Sequence, residues 1–387
     1  MTSPHPRGGG ITPRDDATFA DRVYAWRTGL IASPRFQSLV ARIPIVRRIA
    51  RGDAERLFNL TAGFLYSQVL QAFVRFDLSA QLATRPRTAA DLAMYLSLPT
   101  DRMVVFCQAA TAIGLLARYR DGRYGLGRIG AALSGVPGLA GMIQHHDVLY
   151  RDMRDPVEFF RDGSATELAA FWPYVFGANG PIDPKTAAIY STLMADSQVL
   201  IAQEILPHLR LHGVKTLLDI GGGTGVFLSH VGARYAYVNL HLFDLPAVVQ
   251  TASNRFAQAG LTPRAQITGG DFRTDVLPKD ADMISLVRIL YDHQDDTVRH
   301  LLAKVYAALP PNGRLIVAEP LAGGAAPTRA GDAYFGLYCM AMGTGRARSA
   351  AEITTHLTNA GFSNIRHHKT RRPFITGLIE ARKRSHQ

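Results

Sequence analysis

Cysteine and long apolar runs are scarce in this chain of 387 residues. With only two cysteines, Cys107 and Cys339, the chain cannot build a disulfide framework or a four-thiolate metal site. Both stand among apolar neighbours, which predicts buried and unreactive thiols. No apolar run reaches the roughly 18–20 residues of a membrane helix. We therefore expect no segment that spans a bilayer.

Lysine is also scarce, with six residues against 37 arginines, and the formal net charge is +12. Basic chains often meet nucleic acid or anionic membranes. The arginines are spread along the chain, so compositional bias explains them equally well and charge alone identifies no partner. Residues 1–16 are rich in proline, glycine and charge and lack the apolar block of a secretory signal. We expect them to form a disordered tail in a cytoplasmic protein.

The length of the chain suits two domains with a terminal extension. Residues 17–55 predict a basic helical extension in which arginines alternate with apolar residues, and residues 56–185 predict a mostly helical domain. Residues 186–387 predict an α/β domain, because strands and helices alternate from Lys215 onward in the manner of a parallel sheet with crossover helices. Pro34 and Pro44 interrupt the arginine-rich extension, and these prolines argue against one continuous helix there.

Residues 77–128 predict a winged helix. Thr88 and Asp91 form a capping-box pattern that opens one helix, a second helix runs from Thr100 to about Leu116, and Asp121-Gly122 marks a hairpin turn. A helix that reads DNA needs several polar side chains toward the bases, and this second helix is largely apolar. We therefore expect this domain to pack within a homodimer and not to bind nucleic acid.

The segment LLDIGGGTG (217–225) carries the strongest local signal, because an apolar strand runs into a glycine-rich turn before a helix. Its glycines follow the G-x-G-x-G spacing of S-adenosylmethionine (SAM) domains, whereas Val226 departs from the dinucleotide fingerprint. We take Asp219, Gly221 and Gly223 as candidate cofactor residues. Each has an ordinary structural alternative, since glycine turns also serve purely structural ends.

Further acids follow at the ends of later strands. The strand Val238–Phe243 ends at Asp244, where a carboxylate can accept both ribose hydroxyls. The next strand, about 264–268, leads into Asp271 and Phe272, which suit the adenine amine and the adenine face. Strands at 282–288, 314–319, 365–369 and 374–381 complete a predicted seven-stranded, Rossmann-like sheet. A helix from the Ser349/Glu352 capping box to Gly361 precedes the last two strands.

With these motifs, the chain resembles the plant caffeic-acid and animal hydroxyindole type of SAM-dependent O-methyltransferase. The resemblance covers roughly residues 56–385 and includes FDLP (243–246), GGDF (269–272) and ALPPNGRLIVAEP (308–320). It implies SAM as methyl donor, S-adenosylhomocysteine as product, and a winged helix that helps to close the partner's active site. No His/Cys/carboxylate cluster has metal-ligand spacing, so we predict no metal. The cofactor residues that it implies are Gly221, Asp244, Leu245, Asp271, Phe272, Arg288 and Ser197, with Met194 lining the methyl-donor pocket.

A narrower resemblance rests on segments outside the cofactor core: 32–44, MIQHHDVLYRDMRDPVEFF (142–160), FWPY (171–174) and GDAYFGLYCMAMGTGRARS (331–349). They resemble the hydroxyneurosporene (demethylspheroidene) O-methyltransferases of purple photosynthetic bacteria. This implies a hydrophobic carotenoid substrate methylated at a tertiary hydroxyl. Because such a substrate resides in the bilayer, we expect the basic stretch from Arg27 to Arg51 to attach the enzyme peripherally to the inner, photosynthetic membrane; packing of this stretch on the partner subunit is the alternative. The candidate substrate-binding residues are Met194, His145, His146, Tyr338 and Met342. Adjacent histidines on a helix point in different directions, so we expect at most one to serve.

The catalytic segment departs from the wider family. Where that family carries a histidine base, this chain has Tyr291; one of the two orienting glutamates is kept as Glu319, and the other position is Ala347. Methyl transfer needs aligned reactants and usually a base for the hydroxyl proton. A phenol is a poor base at neutral pH. We therefore predict Tyr291 as a positioning and proton-relay group and His293 as the reserve base; packing alone is the alternative for Tyr291.

Two other functions fit the same residues. One is methylation of another large apolar pigment, such as a bacteriochlorophyll precursor, which a tyrosine at position 291 would suit if the acceptor needs little deprotonation. The other, of a different class, is a winged-helix regulator that senses SAM or pigment. Salt-dependent DNA binding would identify the regulator. The slope of the logarithm of the binding constant against the logarithm of the salt concentration reports the number of DNA phosphates neutralised.

Overall fold

The computed structural model describes residues 18–40, 44–162, 166–171 and 184–385. The predicted tail 1–16 and residues 172–174 of the FWPY segment lie outside the described residues, as does the side chain of Met194. The chain divides into two units, residues 1–72 and 73–387. The predicted four-part division is finer than this, and its boundary at 55/56 falls inside one continuous helix.

The first unit is helical where it is described. Helices α1 (Phe19–Ala32) and α2 (Pro34–Val40) precede α3 (Pro44–Arg75). Pro34 and Pro44 each open a helix, as their fixed φ and missing N–H favour at a first turn. Thr18 caps α1 through a capping box with Asp21.

Helix α3 contains a stretch that the search for apolar runs missed, while the expectation that no segment spans a bilayer stays a prediction. Its part Ala50–Arg75 is long and apolar enough to do so by length and composition, a test that core helices also pass. Residues 57–74 contain no charged side chain, although several are polar. The apolar positions are interrupted by Asn59, Ser67 and Gln68, so a search for an unbroken apolar run misses this stretch.

The second unit begins with the predicted helix, turn, helix and hairpin. Its elements are α4 (Leu78–Gln81), α5 (Ala89–Leu96), α6 (Thr100–Ala112), β1 (Leu116–Arg118) and β2 (Tyr124–Leu126). The capping box of Thr88 and Asp91 is present. Helix α6 ends four residues earlier than predicted, because Gly114 adopts a left-handed conformation at φ 80° and Leu116 already pairs in the hairpin.

Five helices link the hairpin to the sheet: α7 (Arg128–Ser134), α8 (Leu139–Asp152), α9 (Pro156–Asp162), α10 (Glu167–Phe171) and α11 (Pro184–Ile205). The α/β region then follows as β3 (Thr216–Ile220), α12 (Val226–Arg234), β4 (Asn239–Asp244), α13 (Pro246–Val249), α14 (Ala252–Gln258), β5 (Ala265–Gly269), β6 (Met283–Val287), α15 (Asp295–Ala308), β7 (Arg314–Glu319), β8 (Leu321–Ala322), α16 (Gly336–Met342), β9 (Arg348–Ser349), α17 (Ala350–Asn359), β10 (Phe362–His368) and β11 (Gly377–Lys383). A π-helical segment, Arg329–Phe335, precedes α16.

The predicted seven-stranded sheet is confirmed, in the order β10-β11-β7-β6-β3-β4-β5. Strands β3 to β7 are parallel, and β11 runs antiparallel to β7 and β10. The last two strands differ in position from the prediction. Strand β10 starts at Phe362, directly after the Gly361 helix stop, and β11 starts only at Gly377, after the turn that contains Pro373.

Both faces of this sheet are buried, so neighbouring residues of one strand enter different cores. In β3, Leu217 packs with α11 and α12 on one face, whereas Leu218 packs with α15 and α17 on the other. This period-two alternation gives three layers, with the sheet between two sets of helices. The carboxyl ends of β3, β4, β5 and β6 therefore open onto one edge, where parallel α/β sheets bind ligands.

Candidate active site

The glycine turn after β3 requires glycine for steric reasons. Gly221, Gly223 and Gly225 have φ of 68°, 59° and 77°. A Cβ on Gly221 would lie 2.2 Å from Ile289 Cδ1, and one on Gly225 would lie 2.8 Å from the Phe256 ring. Conformation thus disfavours side chains at all three positions, and lack of space also excludes them at Gly221 and Gly225, so the backbone itself forms the wall of the cavity.

Asp244 joins the end of β4 to this turn. One of its carboxylate oxygens accepts the amide of Gly223 at 2.7 Å, and the other accepts the amide of Leu245 at 2.7 Å. Burial raises the pKa of Asp244 to about 6 despite these two hydrogen bonds. Each oxygen keeps a second lone pair. The carboxylate is therefore held rigidly at the cavity wall with capacity for two more donors.

Asp271 and Phe272 lie where the sequence predicted, at the end of β5. Asp271 is engaged by Arg273, whose Nη2 lies 2.7 Å from Oδ2 and whose Nε lies 3.0 Å from both oxygens. These hydrogen bonds lower the pKa of Asp271. Arg273 is a cavity residue that the sequence analysis missed, although its place two residues after the acid was visible. The Phe272 ring meets His293 edge to face at 5.2 Å between centroids.

A single cavity gathers these groups. It is lined by Ala195, Gln198, Gly221, Gly222, Gly223, Thr224, Val226, Asp244, Leu245, Ala247, Val248, Gly270, Asp271, Phe272, Arg273, Val287, Arg288, Ile289, Tyr291, Asp292 and His293. It combines a glycine-rich backbone, acids at strand ends and an aromatic ring. Within the part of the chain that the structure describes, no group of three or more metal-ligand side chains occurs.

Asp219 does not line this cavity, contrary to its assignment as a cofactor residue. It is buried beneath the glycine turn, where its Oδ1 accepts the Ser285 hydroxyl at 2.6 Å. A Cβ on Gly222 would lie 2.7 Å from its Oδ2. Burial raises the pKa of Asp219 to about 7. Side chains of β3 alternate between the two buried faces of the sheet, so Asp219 points into one of these faces and not toward the ligand edge. It supports the glycine turn from beneath.

Arg288 connects three parts of the site. It is one of the few non-glycine residues with positive φ, at 59°, which is a strained conformation often found at functional positions. Its guanidinium donates to Ser197 Oγ at 2.9 Å and to the Tyr291 hydroxyl at 3.1 Å. It thereby brings helix α11 and the turn after β6 together; the cofactor-binding roles assigned to Arg288 and Ser197 stay predictions.

Glu319 holds the catalytic segment by its backbone. Its Oε1 accepts the amides of Ile289 and Leu290, each at 2.8 Å, and its Oε2 accepts the amide of Tyr291 at 3.4 Å. Burial raises the pKa of Glu319 to about 7. Both carboxylate oxygens of Glu319 therefore accept hydrogen bonds from the backbone of the turn. The position of the histidine base that this glutamate orients in the wider family is occupied here by Tyr291.

Tyr291 and His293 both lie at the cavity, yet neither is a strong base there. Tyr291 is 2% exposed, and burial raises its pKa well above 10. Burial, followed by the charges of Arg273 and Arg348, lowers the pKa of His293 to about 4. An effective base needs a pKa near the working pH. The phenol thus stays protonated at neutral pH, and the imidazole holds a proton only weakly.

Arg348 is a supporting residue that the sequence analysis missed. It is 1% exposed and donates to the carbonyl oxygens of Leu290 at 2.6 Å and His293 at 2.8 Å, as well as to the Asp295 carboxylate at 2.6 Å. The turn 290–293 is therefore held from two sides. Glu319 accepts hydrogen bonds from backbone amides at the turn, and Arg348 donates hydrogen bonds to backbone carbonyls of the turn. Nothing in the local pattern GRARS distinguishes a buried arginine from a solvated one.

The two candidate histidines of α8 both face the segment Arg329–Met342. His145 Nε2 lies 3.0 Å from the Tyr338 hydroxyl, and His146 Nε2 lies 2.7 Å from the Tyr334 hydroxyl. Burial lowers the pKa of both, to about 4 for His145. Both imidazoles pair with this segment because the two tyrosines stand one helical turn apart and receive one imidazole each; that at most one histidine serves the substrate stays a prediction.

These pairs reach the cavity through aromatic contacts. Tyr334 packs on Phe335 at 4.9 Å between ring centroids, and Phe335 packs on Tyr291 at 6.2 Å. Met342 is fully buried in a cluster with Phe159, Leu168 and Tyr338. Neither Met342 nor the candidates His145, His146 and Tyr338 line the cavity itself, so their substrate-binding roles stay predictions.

The fold and the cavity define an α/β methyltransferase, and comparison with known proteins gives its family. Residues 150–363 match the O-methyltransferase domain family. The chain is 49% identical to the demethylspheroidene O-methyltransferase of Cereibacter sphaeroides over 91% of this chain and 93% of that protein, and 46% identical to that of Rhodobacter capsulatus over 92% and 88%. The structure of human N-acetylserotonin methyltransferase in complex with SAM superposes with a TM-score of 0.69, at 23% identity over 86% of this chain and 98% of that one. The chain belongs to the SAM-dependent O-methyltransferase family.

SAM affinity should depend on pH through Asp244. Ribose hydroxyls donate best to the ionised carboxylate, whose pKa is about 6 in the free protein. Affinity should therefore rise with pH up to about 6, by up to about tenfold per pH unit, and level off above it. Titration calorimetry between about pH 5 and pH 8 measures this. An affinity that does not change with pH would contradict the predicted contact between Asp244 and the ribose.

Proposed function

We propose that this enzyme methylates the tertiary hydroxyl of an acyclic carotenoid of the hydroxyneurosporene or demethylspheroidene type. The observation that carries the proposal is the 49% identity to a demethylspheroidene O-methyltransferase over 91% of the chain. The residues of the narrower resemblance support it, because His145, His146, Tyr334 and Tyr338 form polar pairs inside an otherwise aromatic region. Such an arrangement suits a long apolar substrate with one hydroxyl.

The cavity fits SAM by its chemistry. In this proposal Asp244 accepts the ribose hydroxyls, the glycine turn with Gly221 and Gly223 approaches the amino-acid portion, and Phe272 covers the adenine beside Leu245. Arg288 and Ser197 bind the methionine end, and Asp271, whose oxygens also accept hydrogen bonds from Arg273, accepts the adenine amine. When bound, SAM supplies an electrophilic methyl group. The protein's contribution is then to align the substrate hydroxyl with that methyl and to receive its proton.

Purified enzyme, SAM and a hydroxycarotenoid solubilised in detergent should yield a methoxycarotenoid, detected by mass spectrometry. A bacteriochlorophyll precursor serves as the competing acceptor in a parallel reaction. Cells that lack this chain should likewise lose methoxycarotenoids. Methylation of the tetrapyrrole alone would overturn the substrate assignment while leaving the enzyme class intact.

The proposed assembly is a homodimer. Within the first unit, helix α3 exposes large apolar side chains to solvent, namely Leu57, Phe58, Leu60, Phe64 and Leu65. A contiguous apolar face of this kind is characteristic of a subunit interface. Sedimentation of the whole chain should give twice the monomer mass, and Leu60→Glu/Phe64→Glu should shift it toward the monomer. A monomeric wild-type chain would refute the assembly.

We further propose cytoplasmic localisation with reversible attachment to the inner membrane. Helix α1 exposes Phe19, Tyr24 and Trp26, and the extension through Arg51 is rich in arginine. Amphipathic aromatic rings and basic residues favour an anionic interface, with about 1 kcal/mol from each basic residue near it.

Binding to anionic vesicles should weaken with salt and in the variant Arg47→Glu/Arg48→Glu, as measured by co-sedimentation. The variant Arg118→Glu/Arg120→Glu carries the same charge change on the exposed hairpin and should bind like the wild type. Equal binding to neutral and anionic vesicles would contradict the electrostatic part of this proposal.

A further inference from the structure

Loop 369–376, between β10 and β11, lies at the same edge of the sheet as the cavity. Strand β11 runs antiparallel to β7, and its first residue, Gly377, pairs with Glu319, the last residue of β7. The residues just before Gly377 are therefore next to the carboxyl end of β7, which belongs to the ligand edge. The Thr376 hydroxyl also donates to the Glu319 carbonyl at 3.5 Å. The loop is thus attached to the residue whose carboxylate holds the turn after β6.

This loop carries positive charge and an exposed aromatic ring. Residues 353–379 include no aspartate or glutamate. The lysine and arginine residues of this stretch all lie in β10 or in the loop, namely Arg366, Lys369, Arg371 and Arg372. Lys369 and Arg371 are exposed to solvent, and Phe374, three residues after Arg371, is 63% exposed.

The exposure of Phe374 is built into the loop. The Arg372 amide donates to Glu204 Oε2 of α11 at 2.9 Å, and the Thr370 hydroxyl donates to the Thr376 carbonyl at 2.7 Å. Thr370 and Thr376 are themselves buried. Both ends of the loop are therefore fixed, and the Phe374 ring stands outward from a well-anchored turn. Single exposed apolar residues are common on protein surfaces, so what distinguishes this one is its basic and firmly held surroundings.

The two acids that contact this region are buried and paired. Glu204 is 2% exposed, and Arg372 Nε lies 3.6 Å from its Oε1. Glu380 is 9% exposed and pairs with Arg314 at 2.9 Å and with His368 at 3.3 Å. Both carboxylates are thus turned into the protein, and the exposed charged groups of the loop are basic.

We propose that loop 369–376 docks the ligand edge of the sheet onto an anionic phospholipid surface, with Phe374 in the interface and Lys369 and Arg371 against the headgroups. The inference rests on the proposed function, because an acyclic carotenoid resides in a bilayer and has to be taken from it. An exposed ring beside basic side chains fits such a surface, since the ring reaches the acyl boundary while the cations meet the phosphates. This surface belongs to the second unit and is separate from the basic extension of the first.

A fluorophore at position 374 tests the insertion directly. Phe374→Cys can be labelled selectively with an environment-sensitive dye, because Cys107 and Cys339 are buried and burial raises their pKa to about 11 and about 12. Vesicles of phosphatidylglycerol and phosphatidylcholine should shift its emission to the blue. The same dye on Tyr237→Cys should not respond, since Tyr237 is 61% exposed but precedes β4, at the opposite edge of the sheet.

An unchanged emission at position 374 would overturn the proposal, whether or not the whole chain sediments with the vesicles. A blue shift of equal size with neutral phosphatidylcholine, or with double-stranded DNA in place of vesicles, would overturn an anionic lipid surface as the partner.

Charge reversal gives an independent measurement. Vesicle binding of Lys369→Glu/Arg371→Glu should be at least about tenfold weaker than that of the wild type at low salt, since each basic residue near such a surface contributes about fivefold. Lys215→Glu/Lys279→Glu carries the same charge change on exposed residues that precede β3 and β6, at the opposite edge, and should bind like the wild type. Equal losses in the two variants would show that net charge alone governs binding and would overturn the role of the loop.

Methylation assays distinguish a failure of this inference from a failure of the proposed function. With a hydroxycarotenoid in detergent, Phe374→Ser should keep the wild-type kcat, because the described lining of the cavity includes no residue of the loop. With the same carotenoid in anionic vesicles its rate should fall about tenfold, the scale expected from partial burial of one phenyl ring. Equal losses in detergent and in vesicles would overturn the docking role. If the wild type methylated no hydroxycarotenoid, the substrate assignment would fail, whereas the emission shift needs no substrate and would still decide the docking.

Discussion

Replacing Arg348 with methionine should lower the free energy of unfolding by about 3 kcal/mol, the scale found when one partner of a buried ion pair is removed. Methionine fills a similar volume, so little of this loss comes from packing. The loss comes from the carbonyls of Leu290 and His293, which lose their Arg348 donor while Leu290 keeps only the His293 amide at 3.3 Å, and from Asp295, which loses its buried partner. Chemical denaturation monitored by circular dichroism measures the effect.

Arg346→Met is the matched control for this change. Arg346 pairs with Asp295 and Glu352 but is 40% exposed, so its replacement should cost less than about 1 kcal/mol. In Arg348→Met the turn 290–293 also loses one of the two side chains that hold it, and kcat should fall with the stability. Equal losses of unfolding free energy in Arg348→Met and Arg346→Met would contradict the larger effect expected from the burial of Arg348.

Asp244→Ala should weaken SAM binding by about 1–3 kcal/mol, or about 5–150-fold in Kd, because a charged acceptor for the ribose is lost. The amides of Gly223 and Leu245 also lose their acceptor, so the glycine turn becomes less well held. Calorimetric titration with SAM gives the affinity, and the rise of affinity with pH up to about 6 should vanish in the variant.

Asp296→Ala, on the exposed surface, should bind SAM as the wild type does. Unchanged affinity in Asp244→Ala would mean that the cofactor lies elsewhere. A loss confined to kcat, with normal SAM affinity, would instead assign Asp244 to the chemistry of transfer and would contradict its proposed contact with the ribose.

Features set by neighbours along the chain were predictable from the sequence. The capping boxes of Thr88 with Asp91 and of Ser349 with Glu352 are both present, because each needs only residues three positions apart. The glycine turn and the strand from Arg314 to Glu319 were also predictable from local sequence. A positive φ favours glycine, and a buried strand favours apolar residues. Boundaries shifted where a distant contact decided them, as at the end of α6.

The sequence by itself determined the seven-stranded sheet, the family and the position of the acids Asp244 and Asp271 at strand ends, because these follow from local pattern and the parallel topology. Only the tertiary structure decided what each polar group does there. It turned Asp219 away beneath the glycine turn, bound Glu319 to backbone amides and buried Arg348 against two carbonyls. The physical reason is that burial and hydrogen-bond partners come from residues far apart in the chain, and these set a side chain's orientation and its pKa.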